Sequence, residues 1–159
     1  MPDYFLARAL HVLGVVLWIG GVAMVTTVLL PAVRRMQDVQ DPVAFFERLE
    51  SGFARQARWT TLLTGLSGFW LTWRLDVWDR FLDPAWWWMH AMVLVWLLFT
   101  LMLFVLEPLW LHAWFRRRAR SDPRGTLQLI QRLHWVLLIL SLVTVAAAAA
   151  GSHGWGVFP

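Results

Sequence analysis

Apolar residues in this chain come in long runs, not in the alternation of a half-buried strand or the narrow stripe of a soluble amphipathic helix. A helix crossing a bilayer core needs about 20 consecutive, mostly apolar residues. Four runs read as spans, at about residues 4–30, 59–73, 85–114 and 133–150. The first is ended by Pro31 and followed by Arg34 and Arg35. The second is the shortest. The third is long enough to project from the membrane or to kink at Pro108, and the fourth is closed by Gly151. The first run lacks a basic leading region and a small-residue cleavage site, so it reads as a span and not as a cleavable signal. In the first long connection, Asp41-Pro42 is a good helix start. Phe45, Phe46, Leu49 and Phe53 then recur at helical spacing, which predicts an amphipathic helix at about 42–53 lying on the membrane interface. The expected fold is all-α, a four-helix transmembrane bundle in a single domain.

Composition removes the soluble alternatives. Of the 159 residues 59% are hydrophobic and only 15% charged, against about 25% charged in ordinary soluble domains. A chain this small cannot hide that much apolar surface from water, so its solvent is expected to be lipid. There is no Cys, which excludes disulfides, thiolate metal sites, iron–sulfur clusters and covalently attached c-type haem.

The formal charge of +4 would suit an anionic partner, but its distribution gives it another meaning. All 14 basic residues are Arg. Eleven of them fall in the connections after the first and third runs, including Arg34, Arg35, Arg55, Arg58 and Arg116–Arg118; only Arg8, Arg74 and Arg80 lie on the other side. The positive-inside rule then puts both Arg-rich connections in the cytoplasm and both termini on the outer, periplasmic side of a bacterial inner membrane. Nucleic acid is not an expected partner. Of the 13 Trp residues, Trp73, Trp78, Trp86, Trp87, Trp88 and Trp155 are expected in an outer aromatic belt, and Trp59, Trp110, Trp114 and Trp135 in an inner one.

An ionisable residue inside a span is costly and marks a candidate functional site. His11 lies about 10 Å into the first span at 1.5 Å per residue, and His90 lies at similar depth in the third. Two imidazoles from different helices are what bis-histidine haem ligation needs. Gly14, Trp18 and Gly21 follow His11 along one stripe, and the glycines leave room either for a flat macrocycle or for another helix. Thr61, Thr64, Gly65 and Gly68 form a similar face on the second span, and His134, Ser141, Val145 and Ala148 share one on the fourth. Arg8, one turn outward from His11, is a candidate for a haem propionate, with His153, Arg74 and Arg80 as further candidates. His112 and His134 lie toward the inner boundary, as the pair for a second haem, and His134 is also a candidate proton relay. Glu107, just before Pro108, is a candidate to relay protons or bind a cation.

The stretch Arg8-Ala9-Leu10-His11 with Trp18, Gly21 and Pro31 resembles the first helix of HemJ-type protoporphyrinogen oxidases, and is similar to helices of CopD-type copper-resistance membrane proteins. The stretches at 55–65 and 86–94 loosely match the second and third helices of the HemJ type. The resemblance implies a four-helix membrane protein that binds b-type haem with His11 as an axial ligand. It also marks a departure: His90 stands where the HemJ type has Lys, and imidazole is the better second iron ligand.

The leading expectation is therefore a multi-pass b-type cytochrome that holds haem b between His11 and His90 and transfers electrons, with a quinone or a protein as redox partner and self-association as a further expectation. A HemJ-like porphyrinogen oxidase is the enzymatic alternative. Copper handling at the outer face by His11, Met89, His90, Met92 and His153 is the third, since thioether and imidazole ligands suit Cu(I).

Overall fold

Asp-Pro pairs open three of the four long helices. In the computed structural model, which describes residues 2–36 and 41–154, the chain forms four rods: α1 (Asp3–Arg35), α2 (Pro42–Leu75), α3 (Pro84–Ala119) and α4 (Pro123–Ser152). A short 3₁₀ helix, Trp78–Leu82, links α2 to α3. Asp41, Asp83 and Asp122 each accept a hydrogen bond from a backbone N–H of the first turn, at 2.8–2.9 Å. Pro at the first helical position loses no bond there, because that N–H has no partner within the helix. α2 ends at Asp76, whose left-handed backbone (φ 51°) breaks the helical run.

Three of these boundaries differ from the sequence expectation. Pro31 does not end the first helix. A π-helical turn, Val25–Leu29, precedes it and the helix continues as Leu30–Arg35. The wider turn accommodates the proline ring, and the Thr26 and Thr27 hydroxyls donate to the Val22 and Ala23 carbonyls at 2.7 Å. The amphipathic segment at 42–53 is not a separate helix, because it runs without a break into the segment at 59–73 as one 34-residue rod. The fourth helix starts ten residues earlier than expected, at Pro123. α3 passes Pro108 through a π-helical stretch, Met102–Leu111. Trp155, assigned to the outer belt, lies outside the described residues.

α1, α3 and α4 are each long and apolar enough to cross a membrane. α2 carries Glu47, Arg48, Glu50, Arg55 and Arg58 in its first half, and its apolar stretch is confined to the second. Large apolar side chains such as Leu66, Phe69, Leu94 and Val136 are exposed. That arrangement is costly in water and favourable in lipid, and it agrees with a membrane helical bundle.

Neighbouring rods run antiparallel. Gly14 of α1 lies against Thr64 of α2 and Gly21 against Phe53. Trp96 of α3 fills the notch at Gly65 of α2 and donates its indole N–H to the Thr61 carbonyl at 2.9 Å. Trp88 of α3 packs on Gly151 of α4. Two buried apolar groups fill the interior: one around Trp18, Val22, Phe99 and Leu138 at mid-bundle, the other around Leu30, Val33, Phe46, Phe115 and Leu127 at the Arg-rich end.

Candidate functional site

His11 projects from α1 onto α2. Its Nδ1 lies 3.0 Å from the Thr64 carbonyl oxygen and 3.2 Å from the Ser67 hydroxyl. Gly68 leaves the space for the ring, since a Cβ there would stand 3.0 Å from His11 Cε1. A carbonyl only accepts, so Nδ1 carries the proton and Nε2 is the free nitrogen. That tautomer suits a metal ligand, whose second ring nitrogen usually donates to a carbonyl or carboxylate.

His90 does not join it. It is exposed, its ring edge-on to Phe81 at 5.3 Å, while the neighbouring Met89 is the buried residue of that turn. Successive helical residues differ by about 100° around the axis, so with Met89 facing inward His90 faces out. The same offset separates His90 from Met89 in the expected copper set.

The glycines do not form an open slot either. A Cβ on Gly14 would stand 2.5 Å from Thr64 Oγ1, and one on Gly21 would overlap the Phe53 ring. Both notches are occupied by α2 side chains, the helix-packing use of such residues. Among the propionate candidates, Arg8 donates to the Tyr4 hydroxyl at 3.2 Å, Arg74 lies 3.9 Å from Asp3, and Arg80 stacks on Trp86 at 4.0 Å. His153 is exposed at the end of α4, with Nδ1 2.8 Å from the Ala149 carbonyl. The residues of this face thus fit a single imidazole ligand at His11 and do not fit a haem held between His11 and His90. Among the described residues no group of three or more His, Cys, Asp or Glu side chains is arranged to hold a metal ion.

Ionisable side chains converge instead at the Arg-rich end. There α2 supplies Glu47, Glu50 and Arg58, α3 supplies Glu107, His112 and Arg116, and α4 supplies His134. The His112 ring bridges two carboxylates, with Nδ1 3.2 Å from Glu47 Oε1 and Nε2 3.2 Å from Glu107 Oε1. Arg58 lies 3.5 Å from Glu107 and also donates from Nε to the Leu103 carbonyl at 3.1 Å. Arg116 lies 3.5 Å from the second oxygen of Glu47. Across the same space, His134 has Nδ1 2.9 Å from the Ile130 carbonyl and Nε2 3.4 Å from Glu50 Oε1. The Glu47, Glu107 and His134 side chains are only 17%, 16% and 16% exposed.

The π-helical stretch of α3 explains one of these contacts. At α-helical pitch, residues five apart point about 140° away from each other. The i to i+5 repeat of a π-helix brings them onto one side, and so Glu107 and His112 meet. Glu47 and Glu50 are three apart on α2 and share a face by ordinary helical spacing.

These groups rim a cavity of about 80 Å³, with room for several water molecules at roughly 10–15 Å³ for the first. Its walls are apolar, from Phe46, Phe53, Met102 and Phe115 to Trp18 and Phe99. Trp18 is 3% exposed, and its indole N–H has no hydrogen-bond partner among the described residues.

Carboxylates and backbone carbonyls only accept, and a neutral imidazole donates from one nitrogen and accepts at the other. Both nitrogens of His112 face acceptors, and so do both nitrogens of His134. Each unit is complete only with one proton beyond the neutral ring, carried either on the imidazole or on the facing carboxyl. Three carboxylates against two guanidinium groups leave one net negative charge, which the first added proton cancels.

Of these residues, the sequence marks His134 as a candidate proton relay or substrate-side residue and Glu107 as a candidate to relay protons or bind a cation, while Glu47 and Glu50 read only as the polar side of an interfacial helix. No protein-family model, no curated protein and no solved structure matches this chain.

Proposed function

We propose that this chain is a multi-pass membrane protein that takes up and releases protons at the carboxylate–imidazole cluster of its Arg-rich end. One observation carries the reading: both imidazoles of the cluster, His112 and His134, face hydrogen-bond acceptors at both ring nitrogens. Histidine is the side chain whose ordinary titration falls nearest neutral pH, and a cluster built on two of them has the groups that proton exchange needs. By the Arg distribution this end faces the cytoplasm of a bacterial inner membrane and both termini face outward. The cluster would then serve a proton-coupled step, in transport or in redox chemistry, on the cytoplasmic side.

The test is a count of protons taken up by detergent-purified protein after a pH jump across the neutral range. Wild type is expected to take up more than His112→Gln or His134→Gln, each variant losing about one proton. Equal uptake by all three proteins would overturn the reading.

His11 supports a second one. With Nδ1 committed to the Thr64 carbonyl and Nε2 free, it has the tautomer of a single axial ligand to iron or another metal, as the HemJ resemblance implies. An optical spectrum of haem-replete protein before and after reduction tests this. A Soret band lost in His11→Ala supports haem there, and a featureless spectrum removes it.

A further inference from the structure

Among the described residues, two buried polar atoms on neighbouring helices have no hydrogen-bond partner, Trp18 Nε1 on α1 and Thr61 Oγ1 on α2. Trp18 is a wall residue of the cavity, and Thr61 is fully buried. A buried polar group without a protein partner is costly, and in native proteins it is commonly met by an ordered water.

Thr61 also belongs to a longer series. Thr60, Thr64 and Ser67 are buried along the face of α2 that meets α1, with Thr61 buried next to Thr60. The pairing of the two helices sets their order: Phe53 against Gly21, Thr64 against Gly14, and Ser67 against His11. The hydroxyls of Thr60, Thr64 and Ser67 donate to α2 carbonyls one turn back or less, at 2.6–3.2 Å. Their lone pairs are left as acceptors, and Thr61 keeps a hydroxyl free both to donate and to accept.

We propose that this face is a proton path, in which water held at Trp18 and Thr61 passes protons from the cavity to the hydroxyls of Thr64 and Ser67 at the level of His11. Waters held between the Trp18 N–H and the Thr61 hydroxyl extend the polar chain beyond the apolar walls of the cavity. Protons taken up at one end of the bundle would then reach the outer half through the protein. The inference rests on the proton-exchanging reading of the cluster, since that cluster loads the path.

The experiment uses the full chain in phosphatidylethanolamine–phosphatidylglycerol vesicles with a trapped pH-sensitive dye and a potassium diffusion potential. Wild type is expected to acidify the lumen faster than protein-free vesicles do. Thr61→Val keeps the shape and removes the hydroxyl, and Ser67→Ala removes the last hydroxyl; each should slow the flux by about tenfold, the value of roughly one hydrogen bond. Thr27→Val, which alters an exposed hydroxyl on α1 away from the path, should keep the full rate. A wild-type rate no faster than that of empty vesicles overturns the path, and so does a full rate in either Thr61→Val or Ser67→Ala. Folding of each variant is checked by its far-UV spectrum and elution volume. Proton uptake measured on the same preparations separates the two readings: uptake without flux removes the path alone, and absence of uptake removes both.

Discussion

Replacing Gly14 with Ala should destabilise the bundle, while the same change six residues later should not. In an open helical position, Gly→Ala gains up to about 1 kcal/mol from backbone propensity. At Gly14 the new methyl would stand 2.5 Å from Thr64 Oγ1, 3.3 Å from the Thr60 carbonyl oxygen and 3.4 Å from the Thr64 nitrogen. The last two are backbone atoms, which cannot rotate aside. The first is held by its hydrogen bond to the Thr60 carbonyl at 2.8 Å. Relief requires α1 and α2 to separate, which loosens the buried row from Thr60 to Ser67 and disturbs the seat of His11. Overpacking of this kind costs about 1–3 kcal/mol, and displacing the Thr64 hydroxyl adds about 1 kcal/mol. The net expectation is a loss of about 1–3 kcal/mol once the propensity gain is subtracted. At Gly20 nothing lies within 4 Å of an added Cβ, so Gly20→Ala should be neutral or stabilising by up to about 1 kcal/mol. Unfolding in mixed micelles, followed by far-UV circular dichroism as the denaturing detergent fraction rises, measures both variants side by side. Stability of Gly14→Ala at or above wild type would refute the close α1–α2 contact. The Gly14→Ala, Thr64→Ala double variant should recover part of the loss, because the two sites share one contact.

Two further changes test other parts of the frame. Asp122→Ala removes the side chain that accepts from the Gly125 N–H at 2.8 Å, so α4 should lose about 1 kcal/mol in the same unfolding assay. Trp96→Phe removes the indole N–H that bonds the Thr61 carbonyl at 2.9 Å and leaves the Gly65 notch part-filled, at a combined cost of about 1–3 kcal/mol.

The four helices were legible in the chain because long apolar runs are a local signal, and Asp41-Pro42 marked the start of α2; Asp122-Pro123 is the same signal, and without it the start of α4 was placed ten residues late. The stripe from His11 through Gly14 and Trp18 to Gly21 also follows from helical spacing, and it does face another helix. Its partner was not legible: glycines make the same notch for a macrocycle as for Thr64 and Phe53. His90 shows the limit of depth as a guide. Counting residues into a span gives height in the membrane, but one residue of error around the axis exchanges an inward side chain for an outward one, and here Met89 took the inner place. The carboxylate–imidazole cluster was the least legible part. Glu47 and Glu50 look like the wet side of an interfacial helix, and Glu107 and His112 look too far apart on an α-helix to meet. The signal that would have joined them is Pro108, whose missing N–H and bulky ring invite the π-helical stretch that carries both onto one side.

The nitrogen spectrum of the histidine rings tests the proton-exchanging cluster most directly. With ¹⁵N-labelled histidine in the bilayer-embedded protein, a ring nitrogen that carries hydrogen is distinguished from one that does not. The His112 and His134 rings should each show two N–H nitrogens at the acid end of a titration and lose one toward the basic end, and Glu50→Gln should alter only the His134 signal. Rings of His112 and His134 that carry a single N–H at every pH, with no change at the facing carboxyls, would contradict the account.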